Sequence, residues 1–299
     1  MIWRCRDLEF DVSGRTLVMG VINVTPDSFS DGGRFFAPGA AVAHARRLLA
    51  EGADLLDLGA ESTRPGAAPV GAPEQIRRLA PVLEALAAEP RACVAVDTSS
   101  AAVAEYALGR GARVVNDVTA LADPGMAPLV AASGAGLVLM HMAGTPASMQ
   151  LDPRYGDVAR EVRDHLAGRL AAAVAAGVAP EAVALDPGIG FGKTVEHNLQ
   201  LLARLGELDG LARPLLVGVS RKSFLGKTLD LPVGQRLEGG LAATAVAVFL
   251  GARVVRTHDV AATVRAVRVA DALRAARRTW AGPRASATLA PGHDRDPRP

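Results

Sequence analysis

Eight short apolar runs, at residues 17–22, 55–58, 94–96, 114–115, 137–140, 183–185, 215–219 and 254–255, alternate along the chain with longer amphipathic stretches. Each run is almost continuously apolar, the pattern of a parallel strand covered on both faces. Between runs the spacing becomes helical: Ile76, Leu79, Leu83 and Leu86 lie three, four and three residues apart, and residues 158–175 form an Ala/Arg/Leu-rich stretch of the same kind. Eight strand-then-helix units with right-handed crossovers fit a (β/α)8 TIM barrel in the α/β class better than a doubly wound sheet, which carries fewer strands and a glycine-rich first turn. Residues 8–12, the Ser13-Gly14 pair and the segment from Thr16 onward predict an N-terminal hairpin that plugs the amino-terminal end of that barrel. The barrel domain is expected over residues 1–280, and the aperiodic Pro, Gly, Arg, Asp and Ser of residues 281–299 predict a disordered C-terminal tail.

Composition removes several classes of function. The apolar runs fall short of the roughly 18 to 20 residues a membrane span needs, and the amino terminus lacks a basic segment leading into an apolar one, so a cytoplasmic protein without membrane contact is expected. Cys5 and Cys93 are too few for a disulfide framework or a thiolate metal cage, and both read as small packing residues. The 33 basic and 31 acidic residues are interspersed, giving no stripe that would track a phosphate backbone, so nucleic acid is not an expected partner. Of those cations only Lys193, Lys222 and Lys227 are lysines. In a chain this rich in arginine, a retained lysine draws notice as a place where a compact ammonium is needed.

Every apolar run ends in polar residues: Asn23; Glu61 to Arg64; Asp97; Asn116 and Asp117; His141; Asp186; Ser220 to Lys222; and Arg256 with His258. In a barrel these endings share the carboxyl-terminal rim, where such folds keep their active sites. Taken singly, each has a structural alternative. Asp97 before Thr98 could cap a helix, Asn116 could close a turn, and Asp186-Pro187-Gly188 could punctuate a loop. Together they offer Asp97, Asn116 and Asp186 beside the Lys222 ammonium. That donor set suits a planar amino-pyrimidinone, whose adjacent N–H groups one carboxylate accepts while a lysine donates to its carbonyl or ring nitrogen. Arg256 and His258 lie at the start of the last helix, where barrels often bind phosphate.

Five strings carry a resemblance to the dihydropteroate synthases: MGVINVTPDSFSDGG from Met19 to Gly33, GAESTRPGA from Gly59 to Ala67, DPGIGFGKT from Asp186 to Thr194, SRKSF from Ser220 to Phe224, and RTHDV from Arg256 to Val260. The match runs in order from about residue 8 to 275, and the tail beyond 280 lies outside it. The resemblance implies a transferase of folate biosynthesis and a sulfonamide target. It would condense 6-hydroxymethyl-7,8-dihydropterin diphosphate with p-aminobenzoate by an SN1-like route. Asp97, Asn116, Asp186 and Lys222 would bind the pterin, with Met140 and Phe191 lining its pocket. Asn23 would hold the Mg2+ that accompanies the diphosphate, and Arg256 and His258 would bind the diphosphate itself. Thr63, Arg64, Pro65 and Ser220 would surround p-aminobenzoate, with Phe29 and Asp31 supplied by the first loop when it closes. Asp97, Lys222, Asp31 and Arg256 are the implied catalytic set, and a homodimer joined through the last helices is implied by the same analogy.

Three other readings compete. Gly192-Lys193-Thr194 resembles the end of a phosphate-cradling loop, but Pro187 stands where that loop needs a glycine. A pterin barrel that transfers a methyl group from a folate to a corrinoid protein would share Asp97, Asn116 and Asp186 without needing the TPDSFSDGG loop or SRKSF. A paralogue that binds pterin without turnover would have little reason to keep Asp97, Lys222, Arg256 and His258. The histidines His44, His165 and His197 fall in helix patterns as surface or satisfied groups, and His141 is a rim residue of open use.

Overall fold

The computed structural model describes residues 1–25, 38–62 and 69–279. Eight parallel strands close into a barrel: β3 (Leu17–Asn23), β4 (Leu55–Gly59), β5 (Val94–Asp97), β6 (Val114–Asp117), β7 (Gly136–Met140), β8 (Val183–Asp186), β9 (Leu215–Val217) and β10 (Ala252–Thr257), with β10 pairing back onto β3. All eight expected runs are therefore barrel strands, and β9 is two residues shorter than its apolar run. Around the barrel lie α1 (Pro38–Ala50), α2 (Ala72–Ala87), α3 (Ala101–Gly109), α4 (Met126–Ser133), α5 (Val158–Ala175), α6 (Val195–Ala203), α7 (Ser223–Leu229), α8 (Leu237–Phe249) and α9 (Val260–Thr279).

Local chemistry sets the helix boundaries. The α5 helix spans the stretch expected from sequence, and the Asp157 carboxylate starts it by accepting from the Arg160 amide at 3.1 Å. On α2, Leu79, Leu83 and Leu86 face the core as their spacing requires. Thr194 caps α6 by accepting from the His197 amide at 3.1 Å, while the His197 ring accepts from the Thr194 amide at 3.3 Å. His197 is thus a satisfied capping group.

The core has two layers. Val18, Ile22, Leu56, Leu58, Val96, Val115, Leu137, Leu139, Val183, Leu185, Val217 and Val255 point outward against the helices. Leu17, Met19, Leu55, Ala95, Val114, Val138, Ala184, Leu216 and Val254 point inward and fill the barrel's lower interior. The amino-terminal end is sealed by a hairpin, as expected, but its strands differ from those the sequence suggests. It is formed by β1 (Ile2–Cys5) and β2 (Leu8–Asp11), with Cys5 opposite Leu8. Thr16 onward cannot pair with residues 8–12, because β3 begins at Leu17 and has both its edges occupied, by β4 and β10. The turn instead falls at Arg6, whose φ of 59° is left-handed. Trp3, Cys5 and Val12 are fully buried against the inner layer, and the Trp3 indole N–H donates to the Ala182 carbonyl at 2.9 Å. Trp280 and the expected tail lie outside the described residues.

Candidate functional site

The inner layer changes character one step towards the carboxyl end. Because alternate strand residues face the same side, the next inward position above Leu55 is Asp57; above Ala95 it is Asp97; above Val114, Asn116; above Val138, Met140; above Ala184, Asp186; and above Val254, Arg256. Strand parity alone therefore turns five polar side chains and one methionine into the same end of the barrel.

Four of them form one hydrogen-bonded group. The Arg256 guanidinium donates from Nε to Asp57 Oδ2 at 2.6 Å and from Nη2 to Asp97 Oδ2 at 2.8 Å, and the Asn116 amide donates to Asp57 Oδ2 at 3.2 Å. Asp57 is fully buried and Asp97 nearly so, each with an Oδ1 that has no hydrogen-bond partner among the described residues. Two buried carboxylates share one cation, so burial pushes Asp97 well above the usual carboxylate range, Arg256 opposes the rise, and Asp57 adds to it. The helix-capping alternative for Asp97 fails, because the Ala101 amide at the start of α3 donates to Asp123 at 2.8 Å. Asn116 faces inward, and the turn beyond it is braced by its neighbour Asp117, which accepts from the Thr119 and Leu121 amides at 2.9 and 2.7 Å.

A second group surrounds Asp186. Its Oδ1 accepts from the Gly188 amide at 2.7 Å, and burial raises its pKa against the pull of Lys222. Lys222 begins α7, donates to the Ile189 carbonyl and lies 4.6 Å from the Phe191 ring centroid, a cation–π distance. Burial lowers its ammonium to about 8, opposed by Asp186. Met140 pairs in register with Asp186 and is buried beside it. On the far side of the same loop, Lys193 is buried and donates to the Gly188 carbonyl, the Phe191 carbonyl and His141 Nδ1, each at 3.0 Å. Burial moves Lys193 down to about 7 and His141 down to about 3. When Lys193 is an ammonium it donates to His141 Nδ1, which places the ring's proton on Nε2. Lys193 sits within its own loop and Thr194 caps a helix, an arrangement that differs from a phosphate cradle.

A third group links β9 and β10, where the His258 amide donates to the Ser220 hydroxyl at 3.2 Å and the His258 ring lies 3.1 Å from it. Asn23 ends β3 on the same rim, opposite Gly59 of β4. Glu61 anchors the chain on the far side of the second loop, accepting from the Val70 amide at 2.8 Å and from the buried Gln75 amide at 3.3 Å. Phe29, Asp31, Thr63, Arg64 and Pro65 lie outside the described residues. Among the described residues no three His, Cys, Asp or Glu gather as a metal cage.

These geometries converge with comparison to known proteins. A family model described as pterin binding enzyme matches residues 19–258. The dihydropteroate synthase of Escherichia coli K12 is 45% identical over 260 residues, which cover 87% of this chain and 92% of that one. The chain belongs to the pterin-binding enzyme family, among its dihydropteroate synthases. Within that family, the Yersinia pestis dihydropteroate synthase solved with a sulfonamide drug complex superposes with a TM-score of 0.87 at 45% identity, covering 92% of this chain and 100% of that one. The Xanthomonas albilineans dihydropteroate synthase solved with 4-aminobenzoic acid gives 0.85 at 45% identity, covering 92% and 98%.

Two parts of the site escaped sequence reasoning. Asp57 sits in the middle of a run read as apolar, and the signal was present: a lone charge, two residues beyond Leu55, shares its inward face. The sequence context of Lys193 suggests only an incomplete phosphate loop, and the rim position of His141 gives that residue no role by itself. Only the fold of residues 186–193 onto the end of β7 makes the two partners.

Proposed function

We propose that this chain condenses 6-hydroxymethyl-7,8-dihydropterin diphosphate with p-aminobenzoate to give 7,8-dihydropteroate and diphosphate, with the pterin lying on the polar layer above the inner core. The observation that carries the reading is the convergence of Asp97, Asn116, Asp186 and Lys222 on one end of the barrel. Asp186 and Asn116 would accept and donate along the amino-pyrimidinone edge, and Lys222 would donate to its carbonyl or ring nitrogen. Met140 and Phe191 would supply apolar walls.

Departure of diphosphate leaves a pterin methylene cation conjugated with the ring; the aniline nitrogen then adds to it and loses a proton. Ionised Asp97 faces the positive charge that develops, while Arg256 and His258 face the departing diphosphate. Ser220 would border the amine, and the family resemblance assigns Thr63, Arg64, Pro65, Phe29 and Asp31 to the same substrate. Water must be kept from such a cation, the task assigned to these loops. The Asn23 amide oxygen is a hard donor on the open rim and suits Mg2+, which takes few protein ligands when phosphates supply the rest. Asn23 would hold the ion, and the ion would contribute neutralisation of diphosphate charge.

The sulfonamide complex of the Yersinia pestis relative extends the reading to sulfonamides as ligands. A homodimer through the last helices is supported by Val246 of α8 and by Val269 and Leu273 of α9, which are 52%, 62% and 58% exposed. A reducing, cytoplasmic setting suits the two buried free thiols, Cys5 and Cys93.

The deciding assay measures diphosphate release and dihydropteroate formation from the pterin diphosphate, with and without p-aminobenzoate. Wild type should give amine-dependent product, and Lys222→Ala should lose on the order of a hundredfold in kcat/KM. Absence of amine-dependent product from wild type would overturn the assignment.

A further inference from the structure

We propose that Lys193, held by His141, is a positioning residue for Lys222: it pins the loop that carries both of the contacts fixing the Lys222 ammonium. The inference rests on the pterin-site reading for its functional consequence, but its structural content stands on geometry alone.

Residues 188–191 form a tight arch between β8 and α6. Gly188, Gly190 and Gly192 take left-handed φ values of 67°, 84° and 58°, and a single backbone bond closes the arch, from the Phe191 amide to the Gly188 carbonyl at 3.0 Å. Two of its carbonyls, those of Gly188 and Phe191, point to one place and both accept from Lys193 Nζ at 3.0 Å. The third N–H of that ammonium is taken by His141 Nδ1, also at 3.0 Å, so all three donors are used. Between the two pinned carbonyls lies Ile189, whose own carbonyl accepts from Lys222, and the second pinned residue is Phe191, whose ring faces the Lys222 ammonium. The first pinned residue, Gly188, gives its amide to Asp186. One buried ammonium thus fixes, through its arch, the hydrogen-bond acceptor and aromatic face of Lys222 and one donor to Asp186.

The supports behind it are equally specific. Tyr155 donates its hydroxyl to the Gly192 carbonyl at 2.8 Å, and its ring lies 6.0 Å from that of His141. His165 meets His141 edge-on at 4.9 Å between centroids. Asn198 accepts from the Gly190 amide at 2.6 Å and donates to the Thr194 carbonyl at 2.6 Å. A guanidinium would not substitute, because its planar donors cannot meet three acceptors gathered around one nitrogen. That accounts for a lysine here in a chain that otherwise uses arginine.

The scarcity of lysine supplies the test. Selective 13Cε-lysine labelling of the full chain gives three signals, from Lys193, Lys222 and the exposed Lys227, and single variants assign them. In wild type the Lys222 signal should stand apart from that of Lys227, shifted by the Phe191 ring. In Lys193→Met it should move towards the Lys227 position, and the affinity for 6-hydroxymethylpterin, read by calorimetry, should fall at least tenfold. Lys193→Arg, which retains the charge, should show the same displacement and serves as the second variant if Lys193→Met does not fold. A folded variant that melts at lower temperature but keeps the wild-type Lys222 signal and pterin affinity would overturn the proposal. If wild type itself fails to bind the pterin, the functional reading falls, and the Lys222 signal still decides the positioning role.

Discussion

Arg256 and Asp57 are 199 residues apart in sequence, yet the arginine Nε donates to the aspartate Oδ2 at 2.6 Å across the barrel interior. The bond joins the last strand to the second and fixes the guanidinium that also reaches Asp97 at 2.8 Å. Removing one partner of a buried pair leaves a desolvated charge behind. We therefore expect Asp57→Ala to cost about 3 kcal/mol in urea unfolding and to reduce turnover by a factor on the order of ten or more, because Arg256 loses its orientation. Unchanged stability and turnover would mean that Asp97 alone holds Arg256.

The pH dependence follows from opposite shifts on two rim groups. Asp97 is read as acting ionised, and burial raises it, so kcat/KM should fall as pH drops through a value above the ordinary carboxylate range. Lys222 acts protonated, and burial lowers it to about 8, so kcat/KM should fall again as pH rises through about 8. The expected profile is a narrow bell with its optimum near neutrality. Lys222→Arg, which cannot deprotonate in this range, should lose the alkaline limb while retaining the acid one; persistence of the alkaline limb would assign it to another group.

Gly188 separates backbone strain from steric conflict. Its φ of 67° would be left-handed for any residue, and a Cβ there would stand 1.8 Å from the His141 carbonyl oxygen. Gly134 has nearly the same φ, 63°, with nothing within 4 Å of a Cβ. Gly134→Ala should cost about 1 kcal/mol in urea unfolding, the conformational share alone. Gly188→Ala should cost about 3 kcal/mol or more, since a backbone oxygen must move and Asp186 loses its amide donor with it. Equal costs would show that the arch relaxes freely.

The architecture was legible in the sequence because each parallel strand is buried on both faces and each helix on one, so the apolar spacing states the element type directly. The rim was legible for a related reason: a polar residue that ends an apolar run stands at the mouth of a barrel. Asn23, Asp97, Asn116, Asp186, Lys222, Arg256 and His258 stand at such endings, as do Thr63 and Arg64 in the sequence, whereas Phe29, Asp31 and Pro65 are reached through motif resemblance alone.

What the chain order could not state is which rim residues bond to which. The Arg256–Asp57–Asp97 group joins three strands, and its members meet only because barrel closure brings β10 beside β3 and directs alternate residues inward. The hairpin partner was likewise settled by competition: Leu17 onward is claimed on both edges by barrel strands, leaving residues 2–5 to pair with 8–11. Lys193 shows the same division. Its scarcity as a lysine was written in the sequence, but its three acceptors come from two loops that only the tertiary fold brings within 3.0 Å of one nitrogen. Local pattern determined the elements and the side of the barrel that carries chemistry; burial and closure decided the pairings, because hydrogen bonds across a barrel depend on distances that chain separation does not encode.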